Sequence, residues 1–292
     1  MKKITAFLLA LAMMLSITAC TVNIQTDGNA TTKATTPSTP STPSTPDTPD
    51  TPDTPDTPDT PDVKPNNITP PSSETVMTYS EYVAAANNDP IEIEAYVQAT
   101  QSYYNGKIKI YAQDETGCYF GYDIPCTEEQ AAKLTPGTKI NIQGYKAYWD
   151  GMPEIASADA VLTIVEDGGY YIAPATDLTD LLGKIELLDK VGMLGAFKGL
   201  TIASITYKNG EPGDDIYVDV TLGEATYSFC VERYLTDPET EVYKAFADLK
   251  VGDKVDIEGF VYWWDADVAP GEASENPMGI NTHITKVTKV AE

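Results

Sequence analysis

Two stretches of this chain repeat one another closely enough to indicate a duplicated domain. Residues 134–150 (LTPGTKINIQGYKAYWD) align without gaps on residues 249–265 (LKVGDKVDIEGFVYWWD), and seven of the 17 positions are identical. The identities include two glycines and the Trp-Asp pair that ends each copy. Agreement of this kind is improbable by chance, so the folded part of the chain is predicted to contain two copies of one unit.

The first copy is predicted to contain five strands, from the alternation of apolar with polar residues. Asn105-Gly106, between the first two strands, is a strong hairpin signal. Thr127, with Gln130 three residues later, forms a capping box at the start of a helix, which Pro136 and Gly137 stop. A similar box, Thr78 with Glu81, opens a short helix before the first strand. The strands are expected over about 91–98, 108–112, 118–124, the repeated segment and 154–165.

The second copy repeats this order. Asn209-Gly210 is the expected turn after its first strand, and Asp237-Pro238 is expected to cap a helix that runs to about Asp248. Alternation places Ile216, Val218 and Val220 on one face of its second strand. The strands are expected over about 199–207, 216–220, 225–232, the repeated segment and 279–290.

Three strands, a helix and two further strands form the order of the OB-fold, a five-stranded Greek-key barrel. The YAQDETGCYFGY hairpin (111–122) and the LxxGxKxxIxG segment of each copy resemble the OB modules of bacterial secreted and surface proteins. The resemblance implies a mainly β chain with two consecutive OB-fold-like five-stranded barrels (β-β-β-α-β-β), at 75–166 and 177–292, joined by a linker at 167–176. Gly144 and Gly259 are expected at strand bends or bulges. The resemblance carries over no catalytic or ligand residue.

The N-terminus has the pattern of a signal peptide. Lys2 and Lys3 precede an uncharged apolar stretch at 4–17, and small residues lead into Cys20. This pattern resembles the bacterial lipobox, which implies that residues 1–19 are removed and that Cys20 is lipidated. Two acyl chains would hold the protein at the membrane on its extracytoplasmic side. An ordinary signal peptide, cleaved nearby with Cys20 incidental, is the alternative.

Residues 20–74 are predicted to be a disordered Thr/Pro-rich stalk. Residues 36–62 are nine uninterrupted triplets, three TPS followed by six TPD. Proline at every third position excludes helix and sheet interiors and favours extended polyproline II. At about 3.1 Å per residue the triplets would hold the folded part roughly 80 Å from the membrane. The alternative is a disordered tail whose length is not under selection.

The charge of the folded part disfavours nucleic acid as a partner. Residues 75–292 contain 36 acidic and 15 basic residues, a net charge near −21. A field of this sign repels a phosphate backbone, and few cations are present to release its counterions.

No catalytic constellation is recognisable, so the chain is predicted not to be an enzyme. His283 is the only histidine and is expected on a surface strand. No phosphate-binding Gly-rich loop, HExxH, CxxC or Gly-x-Ser-x-Gly elbow occurs. Cys118 and Cys126 are expected to be unpaired, because an extended segment between them separates their Cα atoms by roughly 25 Å. A disulfide between them is the alternative.

The acidic segment 264–276 is the one candidate for metal binding. Pro270 and Asn276 occupy the sixth and twelfth positions of a loop counted from Asp265, which excludes an EF-hand. No cofactor is predicted, and an irregular calcium site is the alternative to a solvated loop. Its carboxylates would be those of Asp265, Asp267, Glu272 and Glu275.

Aromatic residues give the best indication of a binding site. OB-folds bind ligands on strands two and three, between the loop joining strands one and two and the loop joining strands four and five. The chain has 18 Tyr and 6 Phe, and polar-tipped rings suit a wet binding surface. Rings that plug the open ends of the barrels are the alternative. The candidate ligand-binding residues in these loops are Tyr103, Tyr104, Tyr148, Trp149, Tyr207, Tyr262, Trp263 and Trp264.

The leading hypothesis is a non-enzymatic cell-surface lipoprotein, a binding or adaptor module that presents its tandem barrels to a glycan or protein partner. One alternative is a single-stranded nucleic-acid binder, which is supported by fold analogy alone and opposed by charge. Another is an accessory protein of an extracellular hydrolase.

Overall fold

The computed structural model describes residues 64–156 and 158–291. The predicted signal peptide, Cys20 and the TPS/TPD triplets lie outside these residues. Within the described ranges, no helix combines the length and the apolar character needed to cross a membrane.

The described chain is mainly β, and its few helices are short. Two 3₁₀-helices at Thr179–Leu181 and Ile185–Lys190, which the sequence patterns do not predict, precede the second set of long strands. The elements are β1 (Asn67–Ile68), α1 (Tyr79–Ala84), β2 (Pro90–Thr100), β3 (Lys107–Gln113), β4 (Cys118–Pro125), α2 (Glu128–Lys133), β5 (Lys139–Trp149), β6 (Met152–Ala156), β7 (Val161–Ile164), β8 (Gly169–Tyr170), β9 (Thr176–Asp177), β10 (Leu194–Tyr207), β11 (Ile216–Leu222), β12 (Ala225–Val231), α3 (Glu241–Ala245), β13 (Lys254–Phe260) and β14 (His283–Lys289).

Each copy closes into the barrel that the sequence predicts. In the first, the strands run β2-β3-β4-β6-β5, and β5 pairs back with β2. In the second, the order is β10-β11-β12-β14-β13, and β10 closes the ring by pairing with both β11 and β13. Strands three and five of each copy pair in parallel, and the other neighbours within each ring are antiparallel. Two OB-fold-like barrels are therefore confirmed.

A sixth strand extends each sheet. The predicted strand at 154–165 is broken into β6 and β7, which pair with different parts of β5. Gly144 lies where β5 leaves β7 and passes to β6, as expected of a strand bend. At Gly259 the pairing of β13 with β14 shifts register, so this glycine lies at the predicted bulge. In the second sheet, β9 adds in parallel to β10.

The helix starts were predicted with mixed success. Thr78 and Thr127 form the predicted capping boxes of α1 and α2. The third helix is present, but its predicted start was wrong, because Thr240 and not Asp237 is its N-cap. Asp237 lies in a turn before the helix, where its carboxylate accepts from the main-chain N–H of Glu239 at 2.8 Å.

The segment just before the first barrel packs on the outside of that barrel, although the sequence predicts it as stalk. We call residues 67–72 the strap. The buried ammonium of Lys139 donates to the carbonyls of Thr69 and Pro70, at 3.1 and 2.8 Å. The same ammonium forms an ion pair of 2.8 Å with Glu94, whose side chain is also buried. The strap therefore covers a charged pair on the outer face of β2 and β5.

The predicted linker at 167–176 also covers this face. β8 pairs with β1 of the strap, and Tyr171 packs edge-on against Tyr96, with ring centres 5.7 Å apart. Gln98 donates to the carbonyl of Tyr171 at 3.1 Å. Alternate residues on both faces of β2 are buried for this reason, and not only those facing the barrel interior.

The two barrels share part of one core. Tyr111 and Phe120 of the first barrel belong to the buried cluster that fills the second barrel. The ring of Tyr111 stacks on that of Phe260 at 4.5 Å between centres. All the described residues belong to one compact unit, so the barrels are held in a defined relation to each other.

Candidate functional site

The ends of the two repeated segments meet between the barrels. The main-chain N–H of Asp265 donates to the carbonyl of Asp150, the equivalent residue of the other copy, at 2.8 Å. The main-chain N–H of Ser274 donates to the carbonyl of Gly151 at 2.9 Å. Asp150 and Gly151 form the turn between β5 and β6, with φ of +45° and +77°. A Cβ on Gly151 would lie 2.5 Å from the Cβ of Ser274, so this close approach requires glycine.

This junction places the two equivalent tryptophans at one cleft. Trp149 is 62% exposed and Trp264 is 58% exposed, and both line a cavity of about 420 Å³ between the barrels. Single exposed apolar residues are ordinary, but two large exposed rings that line the same cleft are typical of a ligand-binding groove. The first barrel also contributes Gln101, Lys109, Tyr122 and Asp150. The second contributes Asp215, Tyr217, Cys230, Glu232, Tyr234, Tyr262, Trp263, Asn281 and His283.

The cleft corresponds to the usual ligand face of the OB-fold, taken from both barrels at once. Lys109 and Tyr122 lie on strands two and three of the first barrel. Tyr217 and Cys230 lie directly opposite each other on strands two and three of the second. Residues of both faces therefore line one site.

His283 lines the cleft but is only 5% exposed, so the prediction of a surface histidine was wrong. Its side chain is buried because the first barrel covers this end of β14. Its ring stacks on Tyr262 at 4.1 Å between centres and 15° between planes, and its Nδ1 lies 2.6 Å from the Tyr111 hydroxyl. Burial lowers the pKa of His283 to about 3, so the ring is neutral at ordinary pH.

The hydrogen bonds around His283 determine which ring nitrogen carries the proton. Gln101 donates to the Tyr111 hydroxyl at 3.1 Å, so the proton of that hydroxyl is directed to His283 Nδ1. The neutral ring then carries its own proton on Nε2. Nε2 has no hydrogen-bond partner among the described residues, which makes it a donor available to a ligand in the cleft.

The cleft is acidic. Asp150, Asp215 and Glu232 line it, with Lys109 as its one cation among the lining residues. Lys109 is already paired with Asp123 at 3.0 Å. Burial raises the pKa of Glu232, whose carboxylate accepts from the main-chain N–H of Leu235 at 2.8 Å. The balance of charge favours a neutral, hydroxyl-rich ligand over a polyanion in this cleft.

Four of the eight predicted aromatic residues are brought together here: Trp149, Tyr262, Trp263 and Trp264. Trp263 differs from its neighbours because it is only 1% exposed and belongs to the core of the second barrel. Tyr103 lines an adjoining groove, and Tyr148 lines a small separate cavity beside Tyr82. Tyr104 and Tyr207 line neither the cleft nor that groove.

Sequence reasoning missed the strand residues of the site. Tyr122, Tyr217 and Glu232 lie on or just after strands two and three, and alternation marks Tyr217 and Glu232 as outward-facing. The rule that OB-folds bind on those strands could have found them. Asn281 was missed because nothing in its surroundings marks it, and its side chain makes no hydrogen bond within the described residues.

The acidic loop does not assemble a metal site. Asp265 accepts from the Ser274 hydroxyl at 2.6 Å. Among residues 64–156 and 158–291, no three His, Cys, Asp or Glu side chains are grouped so as to hold a metal ion. Cys118, Cys126 and Cys230 are free thiols.

No protein-family model and no curated protein matches this chain. Among solved structures, the chain is similar to OBody AM1L10 bound to hen egg-white lysozyme, with 21% identity, coverage of 43% of this chain and 99% of that one, and a TM-score of 0.27. It is similar to a murine DNA binding protein bound with double-stranded DNA, with 16% identity, coverage of 69% and 100%, and a TM-score of 0.33. It is also similar to the Ifi202 HINa domain in complex with 20-bp double-stranded DNA, with 11% identity, coverage of 70% and 97%, and a TM-score of 0.32. At these identities the likeness concerns the fold alone.

Proposed function

We propose that this chain is a non-enzymatic glycan-binding protein of the cell surface, and that the cleft between its barrels is the binding site. The observation that carries the proposal is the pair of exposed, repeat-equivalent indoles, Trp149 and Trp264, at one acidic cleft. An indole offers a flat apolar face to the C–H surface of a sugar ring, and surrounding polar groups then fix its hydroxyls.

The polar groups of the cleft suit hydroxyls. The carboxylates of Asp150 and Asp215 accept hydrogen bonds, and the amide of Asn281 can both donate and accept. The Nε2–H of His283 supplies a further donor in the cleft. Hydroxyls can use all of these groups, whereas a phosphate backbone requires an excess of cations, which this cleft does not have.

Display at the cell surface is the second part of the proposal. A lipid on Cys20 and a polyproline II stalk would hold the barrels away from the membrane, where extracellular glycans are accessible. Replacing Cys20 by alanine should move the protein from the membrane fraction to the soluble fraction. Cys126→Ala, a change at a half-buried thiol in the folded part, is the control and should stay with the membrane.

The binding site is tested with the full chain, purified in mild detergent and applied to a glycan array and to single-stranded oligonucleotides at low salt. We expect binding to one or more glycans that is lost in Trp149→Ala and kept in Tyr104→Ala. Binding of oligonucleotides but of no glycan would favour the nucleic-acid alternative. Binding of neither would contradict the proposal.

A further inference from the structure

Arg233 is the only arginine of the chain, and it has no anionic partner among the described residues. It follows β12 and is half-buried. Its guanidinium lies over the ring of Tyr234, 5.2 Å from the ring centre, a cation–π contact that holds the side chain in place. The main-chain N–H of Arg233 donates to the Asp215 carboxylate at 3.1 Å, which fixes the backbone as well.

Arg233 lines a groove that adjoins the cleft. This open groove, of about 600 Å³, shares Gln101 and Tyr234 with the cleft, so the two form one continuous surface. The residues that line its two sides come from different barrels. The main-chain N–H of Ser102 in the first barrel donates to the carbonyl of Tyr234 at 2.8 Å, and this hydrogen bond joins the two sides of the groove.

The carboxylates that line the groove leave the guanidinium unpaired. Glu128 and Asp237 both line it, and neither forms an ion pair with Arg233. One oxygen of Asp237 is engaged by the N–H of Glu239. Nine of the 15 lysines in the described residues form an ion pair with a carboxylate, as Lys208 does with Asp215 at 2.8 Å. A fixed and unpaired arginine in a groove of such a protein is therefore a feature to be explained by a ligand.

We infer that the ligand is an acidic glycan, in which a neutral sugar occupies the cleft and the carboxylate of a neighbouring sugar pairs with Arg233. The inference rests on the proposed function and specifies its ligand class. The planar guanidinium presents two parallel N–H donors that match the two oxygens of a carboxylate. Its position beyond Tyr234 places the acidic sugar next to the indole-lined part of the site.

The net charge limits how acidic the glycan is. A polyanion with one charge on every repeating unit, such as a nucleic acid, is repelled by the acidic surface of the protein. A glycan with isolated carboxylates needs one cation at one point, and the groove supplies one. The site is thus expected to select sugar chains in which carboxylates alternate with neutral units.

The test compares uronic-acid oligosaccharides with their carboxyl-reduced counterparts, which differ only in the loss of the carboxylate. With the full chain, we expect the acidic member of a pair to bind about tenfold more tightly. Arg233→Gln should abolish this preference, so that the variant binds both members of a pair equally, and Arg233→Lys should restore the preference only in part. Lys254→Gln, which removes one exposed positive charge elsewhere on the second barrel, is the matched control and should keep the preference.

The outcomes separate this inference from the proposed function. Equal binding of acidic and reduced oligosaccharides, or a preference that survives Arg233→Gln, would overturn the role of Arg233 and leave glycan binding standing. If no member of any pair binds, the proposed function itself is contradicted.

Discussion

The hydroxyl of Tyr111 and the Nδ1 atom of His283 lie 2.6 Å apart, and they join the two barrels through a buried hydrogen bond. Tyr111 is on β3 of the first barrel, and His283 begins β14 of the second. The neutral imidazole accepts the hydroxyl proton at Nδ1 in this arrangement. Protonation of His283 would place a charge in a buried site and remove the acceptor, so this contact ties the junction of the barrels to pH.

We predict that His283 makes the fold sensitive to acid. The pKa of His283 is lowered to about 3 in the folded state, against an ordinary value of 6.5, because of burial. The unfolded chain therefore binds the proton first, and stability is lost as the pH falls below about 6.5. Relative to His283→Gln, the wild type should lose about 2 kcal/mol of unfolding free energy between pH 7 and pH 5. Urea denaturation at the two pH values measures this, and an unchanged difference would contradict it.

Glu154 is predicted to act in the opposite direction. Burial, together with the nearby charge of Asp123, raises the pKa of Glu154 to about 8, and its Oε2 atom is buried without a partner. A folded-state pKa above the ordinary value of 4.5 means that stability is lost as the pH rises from 4.5 to 8. Glu154→Gln removes this dependence, so its advantage over the wild type should grow by about 4 kcal/mol between pH 5 and pH 9.

Thermal unfolding at pH 5 and pH 9 tests the role of Glu154. Glu224→Gln changes an exposed carboxyl in the turn between β11 and β12 and should behave like the wild type at both values. If the Glu154→Gln variant is no more stable than the wild type at pH 9, ionisation of the Glu154 carboxyl in the folded state does not reduce the free energy of unfolding, and the prediction is contradicted.

The barrels were predictable because local patterns determine them. Apolar alternation in 91–97 and 216–220 marks the inward faces of strands, and those residues are buried. Asn105-Gly106 adopts the left-handed backbone of a tight hairpin, with φ of +51° and +78°. The repeated segment predicted that both copies would have one fold, which the matching strand order confirms.

The cleft was only partly predictable, because it depends on how the barrels pack together. The repeat identifies Trp149 and Trp264 as equivalent, but no periodic pattern says that the two would meet. Their meeting depends on Tyr111 and Phe120 packing into the second barrel's core, contacts between residues far apart in sequence. The same packing of the two barrels buries His283. The apolar alternation of its strand indicates that one face of the strand is covered, but it does not indicate that His283 is buried as well.

The three tryptophans of the chain are predicted to have different roles. Trp149→Ala and Trp264→Ala should each weaken glycan binding at least tenfold, because the stacking surface is lost. Each should change stability by less than about 1 kcal/mol, because both indoles are largely exposed. Trp263→Ala should cost about 3–5 kcal/mol of unfolding free energy, because it opens a cavity in the core.

Binding titrations and urea denaturation on the same samples separate these roles. Tyr104→Ala removes a ring that is 81% exposed and lies away from the cleft, and it should alter neither property. If Trp149→Ala and Trp264→Ala both bind glycans as tightly as the wild type, the indoles do not contribute to the binding site.

The strap is predicted to stabilise the first barrel through Lys139. Its ammonium forms the ion pair with Glu94 and donates to three oxygens of Thr69 and Pro70, all in a buried position. Lys139→Met leaves the Glu94 carboxylate buried without its counter-ion, and loss of one partner from a buried pair costs about 3–5 kcal/mol. Urea denaturation measures this loss, and limited proteolysis should show faster cleavage within 67–72. Adding Glu94→Gln to Lys139→Met should recover part of the stability, because the unpaired charge is removed.

Lys244→Met is the matched control for Lys139→Met. Lys244 forms an ion pair with Glu239 at 3.1 Å, but both side chains are exposed. Solvent weakens an exposed pair, so this change should cost less than about 1 kcal/mol and leave the strap protected from protease. If Lys139→Met is no more damaging than Lys244→Met, the strap does not depend on the buried pair. The strap would then be held on the barrel through the β1–β8 pairing and the packing around Tyr96.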